Sequence, residues 1–192
     1  MKEAFLMRHG RTKENSERLL VGHSDPPITE EAREKILALR KRVASPDFVF
    51  SSDLRRASDT ARLLFPGKEI QLLSELRERG FGSLELKPAL RLGKDLLNWY
   101  RLDGDEGVFK GTGAEPLSSV MQRVTHVANL IREVDAQRVM VMAHGAILSY
   151  LTNILLNEGL VHHPLSNLNY NRILFNDGNA VAEVDINKSW TD

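Results

Sequence analysis

Arg8, His9 and Gly10 stand together where the apolar run Ala4 to Met7 ends. A strand that gives way to a loop there delivers a fixed cation, a titratable imidazole and a permissive backbone to the carboxyl edge of an α/β sheet. A second apolar run, Val139 to Met142, ends likewise in Ala143-His144-Gly145 and continues into the apolar helical stretch Ile147 to Leu156. A third, Phe48-Val49-Phe50, breaks into Ser51-Ser52-Asp53 ahead of Arg55 and Arg56. In a parallel sheet all three strands end on one edge, so Arg8, His9, Arg56 and His144 can converge in one crevice. Such a crevice suits a phosphate monoester, which carries nearly two negative charges near neutral pH and spreads charge over three equatorial oxygens during transfer. Arg8 and Arg56 would meet those oxygens with planar forks, and Asn15 and His144 would add hydrogen bonds. Neutral His9 would attack phosphorus through a ring nitrogen to give a phosphohistidine, and the departing alkoxide would need a proton. Glu78, in the glycine-rich stretch Leu76 to Gly82, is the candidate acid. A bound dianion favours its protonated form, and the same carboxyl would later take a proton from the hydrolytic water. Glu75 and Glu85 lie close by and stand as alternatives.

The elements that must position these residues read as strand (about 3 to 8), helix (29 to 44), strand (47 to 51), helix (54 to 65) and a short strand near 69 to 72. This alternation predicts a parallel sheet covered on both faces. Thr29 is the expected cap of the first long helix, with Glu30 and Glu31 placed for its dipole, and Ser52 or Asp53 is expected to cap the next. Residues 86 to 116 read as a small lid lying over the crevice, with a helix through Leu96 to Tyr100 and then the loop Asp103 to Gly107. An amphipathic helix from about Leu117 to Asp135 returns to the strand before His144, and Asn176-Asp177-Gly178-Asn179 predicts a terminal hairpin. The expected architecture is one domain, 1–192, of class α/β: a three-layer α/β/α sandwich with a mostly parallel central sheet and a lid at about 86–116.

Composition narrows the function. Lysine plus arginine and aspartate plus glutamate number 26 each, so no global field favours nucleic acid or an anionic membrane, and any anion site must be local. The chain has no cysteine, which excludes disulfides, a thiol nucleophile and cysteine-ligated metal. The apolar run after Met1-Lys2-Glu3 is too short for a signal-peptide core and no apolar stretch reaches the length of a membrane span, so a cytoplasmic protein is expected. Other candidates read as ordinary structure. His162 and His163 lack a partner at metal-ligand spacing and are expected to be exposed linker residues, and His126 to lie on a helix surface. Gly111-Thr112-Gly113 lacks the rest of a dinucleotide fingerprint, and Asp103, Asp105 and Glu106 lack calcium-loop spacing and read as solvated surface. Trp99 and Tyr100 suit either helix packing or a substrate contact.

Over most of its length the chain resembles the histidine phosphatase superfamily, in its phosphoglycerate mutase-like branch. The resemblance is carried by Arg8 to Asn15, Gly22 to Glu30, Ser51 to Ala57, Leu76-Arg77-Glu78 with Phe81-Gly82, and Ala143-His144-Gly145. It implies His9 as phosphoryl acceptor, Arg8, Arg56 and His144 as the phosphate clamp, Glu78 as proton donor and Asn15 as a further phosphate contact. It also selects Arg56 over Arg55, as the arginine directly before Ala57. His23 would reach the phosphate from its loop. Gly80, Leu84, Pro116 and Ala146 depart from the family pattern, where an acidic or amide residue, a tryptophan, a serine and a glycine are usual. These departures leave the five core positions intact and bear on substrate contacts.

The expected activity is metal-independent, cofactor-free hydrolysis of a small-molecule phosphate monoester by a monomer or homodimer. Mutase-type transfer is the alternative, disfavoured because the short lid offers few cations, namely Lys87, Arg91, Lys94, Arg101 and Lys110. A catalytically silent phospho-ligand binding protein is a third reading. Sugar phosphates, phosphoglycerate, α-ribazole phosphate and phosphoamino acids all remain open as substrates.

Overall fold

In the computed structural model, residues 1–95, 98–176 and 179–190 are described. Strands β1 (Lys2–Arg8), β2 (Phe48–Ser52), β3 (Gln71–Leu73), β4 (Arg138–Ala143), β5 (Tyr170–Asn176) and β6 (Asn179–Lys188) form one sheet in the order β3-β2-β4-β1-β5-β6. The first four are mutually parallel, while β5 and β6 add an antiparallel edge. Side chains alternate along each strand, so β1 sends Ala4 and Leu6 to one face and Phe5 and Met7 to the other. The first face packs on α4 (Leu117–Glu133) and α5 (Gly145–Leu156), the second on α2 (Glu30–Leu39) and α3 (Arg55–Leu64). Val139 and Val141 of β4 join the former core, Met140 and Met142 the latter. Two separate cores on one sheet make the three-layer sandwich that the strand–helix alternation predicts.

Helix α2 is capped as expected, with the Thr29 hydroxyl accepting from the Ala32 N–H. Helix α3 is not. Its N-cap is Leu54, without a side-chain cap; the Arg55 N–H donates to Asp25, and Asp53 is taken up by a bidentate pair with Arg77. Asp25 thus ties the loop 22–25 to the start of the helix that carries Arg56. A guanidinium fork outcompetes a local cap for the Asp53 carboxylate, because two charge-assisted bonds outweigh one.

In place of the expected lid helix stand short 3₁₀ segments at Ala89–Asp95, kinked at Gly93, Trp99–Arg101 and Gly107–Phe109; Leu96 and Leu97 lie outside the described residues. Gly93 and Gly107 adopt positive φ, which interrupts any longer run. The acidic residues expected to be plain surface instead close this loop: Asp103 accepts from Gly104 and Leu117 N–H, Asp105 from Gly111 N–H and Glu106 from Asp103 N–H, while Asp95 accepts from Val108 N–H. The terminal hairpin is present as β5–β6, while its turn residues Asp177 and Gly178 lie outside the described residues. Among the described residues no helix is long and apolar enough to cross a membrane.

Candidate active site

Strand register brings the two histidines together. Arg8 of β1 pairs with Ala143 of β4, the His9 N–H donates to the Ala143 carbonyl at 3.0 Å, and the next residues on each strand are therefore neighbours. The rings of His9 and His144 lie 5.0 Å apart. His9 is buried, and its Nδ1 is 2.7 Å from the Gly10 carbonyl oxygen, which can only accept; Nδ1 therefore carries the proton and Nε2 keeps its lone pair. Burial, followed by the charges of Arg56 and Arg8, holds the His9 imidazole well below its ordinary range, so the ring is neutral at pH 7.

His144 is fixed in the opposite tautomer. Its Nδ1 accepts from Arg56 Nε at 3.1 Å, and its Nε2 therefore donates to the Ser52 hydroxyl at 2.9 Å. Burial, then Arg56, His9 and Arg8, keep this ring neutral as well. Arg56 is fully buried and also donates to the carbonyls of Ser24 (2.7 Å), Gly22 (2.8 Å) and Val21 (3.4 Å). Burial pushes its guanidinium down to about 10, still ionised at neutral pH. The loop supplying those carbonyls is held by Glu85, whose carboxylate accepts from the N–H groups of Gly22, His23 and Ser24, the Ser24 hydroxyl and the Phe81 N–H.

Arg8 donates from Nη1 to the Leu165 carbonyl at 2.7 Å, while its Nε is sealed from solvent with no hydrogen-bond partner among the described residues. An orphaned buried donor costs on the order of 1–3 kcal/mol, so an arriving anion has a ready-made partner. Its guanidinium lies against Gly145, where a β-carbon would sit 3.5 Å from Cζ, at the N-terminus of α5. Glu78 is buried beside it, with Oε1 accepting from the Arg79 N–H (2.9 Å) and Oε2 from the Ala146 N–H (3.1 Å).

Arg8, His9, Asn15 and Glu78 line one cavity of about 350 Å³. Asn15 also forms a capping box with Thr12 at the start of α1 (Lys13–Ser16) and receives Asn167 Nδ2 at 3.5 Å, the same amide that donates to the His9 carbonyl at 2.9 Å. Arg56 and His144 stand behind His9 and are not among the lining residues. His23, expected to reach the phosphate, is outside the lining too: its half-exposed ring faces Gly80 and lies 3.9 Å from Glu115. Its backbone N–H is pinned by Glu85, a constraint the sequence does not announce. Of the three neighbouring glutamates, Glu78 alone lines the cavity; Glu85 is spent on the loop and Glu75 is met by Ser74.

Sequence reasoning missed several residues around the site. Ser52 was read as a helix cap and holds His144; Arg79 is fully buried and donates to the lid carbonyls of Trp99, Leu102 and Glu115. His162 lies exposed in an irregular segment as expected, yet its ring stacks on Tyr100 and lines the cavity, while His163 is half-buried and tied to Asn153, Ser149 and Glu158. Trp99 lines the cavity while packing on Phe81. His126 is exposed on α4 as expected. Among the described residues, no group of three or more His, Cys, Asp or Glu side chains is placed to hold a metal ion.

The chain is similar to known proteins over nearly its whole length. It is 29% identical over 192 residues to the adenosylcobalamin/alpha-ribazole phosphatase of Escherichia coli K12, covering 97% of this chain and 91% of that protein. It is 30% identical over 164 residues to the probable phosphoglycerate mutase GpmB of Enterobacter sp. (strain 638), covering 81% and 75%. Among solved structures, a putative alpha-ribazole-5'-P phosphatase from Escherichia coli K-12 superposes with a TM-score of 0.81 at 26% identity, covering 98% and 97%. The sequence profile of the histidine phosphatase superfamily (branch 1) matches residues 4–187, and with paired histidines at adjacent strand ends beside Arg8 and the buried Arg56, the chain belongs to that superfamily.

Proposed function

We propose that this protein is a phosphomonoesterase that hydrolyses small phosphorylated metabolites through a phosphohistidine on His9. The observation that carries the reading is the fixed tautomer of His9: a neutral ring whose Nε2 lone pair is left free, in a residue that lines one cavity together with Arg8 and Glu78. In the first half-reaction His9 Nε2 forms the N–P bond, the P–O bond to the alcohol breaks, and Glu78 passes a proton to the departing alkoxide. The Nδ1 proton on Gly10 stabilises the positive charge the ring acquires. In the second, water attacks phosphorus, the N–P bond breaks, and Glu78 recovers a proton from that water. Arg8 and the N-terminus of α5 face the transferring oxygens, while Arg56 acts through His144 and through its charge.

Arg8 and these donors supply the charge stabilisation, so we propose hydrolysis without a metal; the lack of cysteine is consistent with a cytoplasmic setting. The similarity to a probable phosphoglycerate mutase favours a second reading, phosphoryl return to the substrate. Against it, Arg8 is the one lysine or arginine among the described residues lining the cavity, leaving no second cation for a bisphosphorylated primer.

The test is phosphate release from p-nitrophenyl phosphate and from a panel of phosphorylated metabolites, with and without EDTA. The wild type should turn over without added metal and form an acid-labile, alkali-stable phosphoenzyme, and His9→Ala should lose at least ~10³-fold in kcat/KM. Incubated with 3-phosphoglycerate, the protein should yield any product as free phosphate rather than 2-phosphoglycerate. Turnover by His9→Ala equal to wild type would remove the nucleophile, and no turnover of any ester would leave a binding protein.

A further inference from the structure

Besides its charged residues the cavity has an apolar and ring-bearing lining, Leu19, Leu20, Phe81, Trp99, His162 and Pro164. Among the described residues lining the cavity, Arg8 is the one permanent cation, and it already faces the position of the phosphate. Arg101, a lid cation counted from sequence, is turned away: it donates to the Leu160 carbonyl at 2.7 Å and lies over the Tyr100 ring. Two of the three aromatic wall residues, His162 and Trp99, are individually braced. His162 stacks face to face on Tyr100, with centroids 4.9 Å apart and planes at 23°, and Tyr100 is itself held through its carbonyl by the buried Tyr150 hydroxyl. Trp99 leans on Phe81 at 5.5 Å, and its carbonyl receives Arg79. Burial, together with the adjacent His163, keeps the His162 imidazole below its ordinary range, so at neutral pH it presents a neutral ring.

We propose that the leaving group selected by this cavity is an uncharged alcohol with an apolar or ring-bearing body, that His162 and Trp99 are the residues that select it, and that alcohols carrying a carboxylate or second phosphate are rejected. This rests on the phosphomonoesterase reading above. A carboxylate entering this wall gives up its water against apolar side chains, finds no cation to replace it, and shares the cavity with Glu78. A planar apolar group loses little on desolvation and gains two ring faces that are already fixed, so little side-chain entropy is spent on binding.

The test compares three alkyl phosphates with similarly basic leaving groups: 2-phenylethyl phosphate, glycerol 3-phosphate and 3-phosphoglycerate, with p-nitrophenyl phosphate as a control for turnover. Wild type should favour the phenylethyl ester over 3-phosphoglycerate by at least ~30-fold in kcat/KM, the scale set by an unpaired buried charge. His162→Ala and Trp99→Ala should each shrink the preference for the phenylethyl ester over glycerol 3-phosphate by about fivefold or more, chiefly through KM, on the scale of a lost ring contact. His162→Phe should retain it. Equal or better use of 3-phosphoglycerate overturns the proposal, as does an unchanged ester preference in both alanine variants. If p-nitrophenyl phosphate and all three alkyl esters are inert, the phosphomonoesterase reading falls and takes this one with it; activity without the predicted preference sinks the specificity alone.

Discussion

Replacing Glu85 by glutamine tests whether a single carboxylate sets the loop that holds Arg56. Oε1 accepts from the N–H groups of His23 and Phe81, both at 3.0 Å; Oε2 accepts from Gly22 N–H (3.0 Å), Ser24 N–H (3.3 Å) and the Ser24 hydroxyl (2.6 Å). Glutamine has one carbonyl oxygen, so whichever way the amide turns, its NH₂ faces two backbone N–H donors. A hydrogen bond to a charged acceptor is worth about 1.5–3 kcal/mol, and with the site half-buried and partly reached by water, losing two should cost about 2–3 kcal/mol. Urea unfolding at pH 7 measures this. Burial alone would raise the Glu85 carboxyl, but its donors outweigh burial and hold it below the usual carboxylate range. A depressed carboxyl stabilises fully above its unfolded value of ~4.3 and loses that contribution as pH falls through its folded value, so the gap to wild type should close in acid. Activity should change with it. The Gly22 and Ser24 carbonyls hold Arg56, and a displacement of about 1 Å in such a positioning group costs up to ~10²-fold in rate. Arg56 is also the largest charge holding His9 down, so loosening it should move the acid limb of kcat/KM to higher pH. A stability loss under ~0.5 kcal/mol at pH 7, together with an unmoved acid limb, would refute the claim that this carboxylate organises Arg56.

Two further outcomes follow from the buried groups. His9 and His144 stay neutral in the folded protein well below the pH at which the unfolded chain takes up protons, so both contribute stability that is whole above ~6.5 and drains as pH falls toward their folded values. The fall in unfolding free energy should then steepen from ~1.4 kcal/mol per pH unit at that point toward ~2.7 about one unit below it, and His144→Asn should roughly halve the slope; a flat profile from pH 7 to 5.5 would contradict the burial of the pair. Arg79→Met retains volume beside Phe109 but strips the lid carbonyls of Trp99, Leu102 and Glu115 of their donor. It should cost about 2–4 kcal/mol and raise KM more than it lowers kcat, with faster amide exchange over 99–115; unchanged exchange there would show the lid is held by other contacts.

The sequence by itself determined the layers and the chemistry-bearing strand ends. Unbroken apolar runs that stop at Arg8-His9, Ser51-Ser52 and Ala143-His144 fit strands buried on both faces between two helical layers, and a parallel sheet brings their carboxyl ends to one edge. The tertiary structure alone decided how each group is wired. Nothing in the local sequence says that Glu85 clamps residues 22–24, that Arg79 tacks down the lid, that Asp25 rather than Asp53 meets the start of α3, or that His162 turns into the cavity while His23 turns out. The reason is physical. Backbone periodicity is set by neighbours three or four residues apart, whereas the partner of a buried charge is whichever donor or acceptor the packed fold leaves near 3 Å, here 63 residues away for Glu85 and Gly22 and 88 for Arg56 and His144. The lid shows the same limit: its acidic residues look like solvated surface in sequence, yet its glycines prevent a helix and leave backbone N–H groups that only those carboxylates are placed to satisfy.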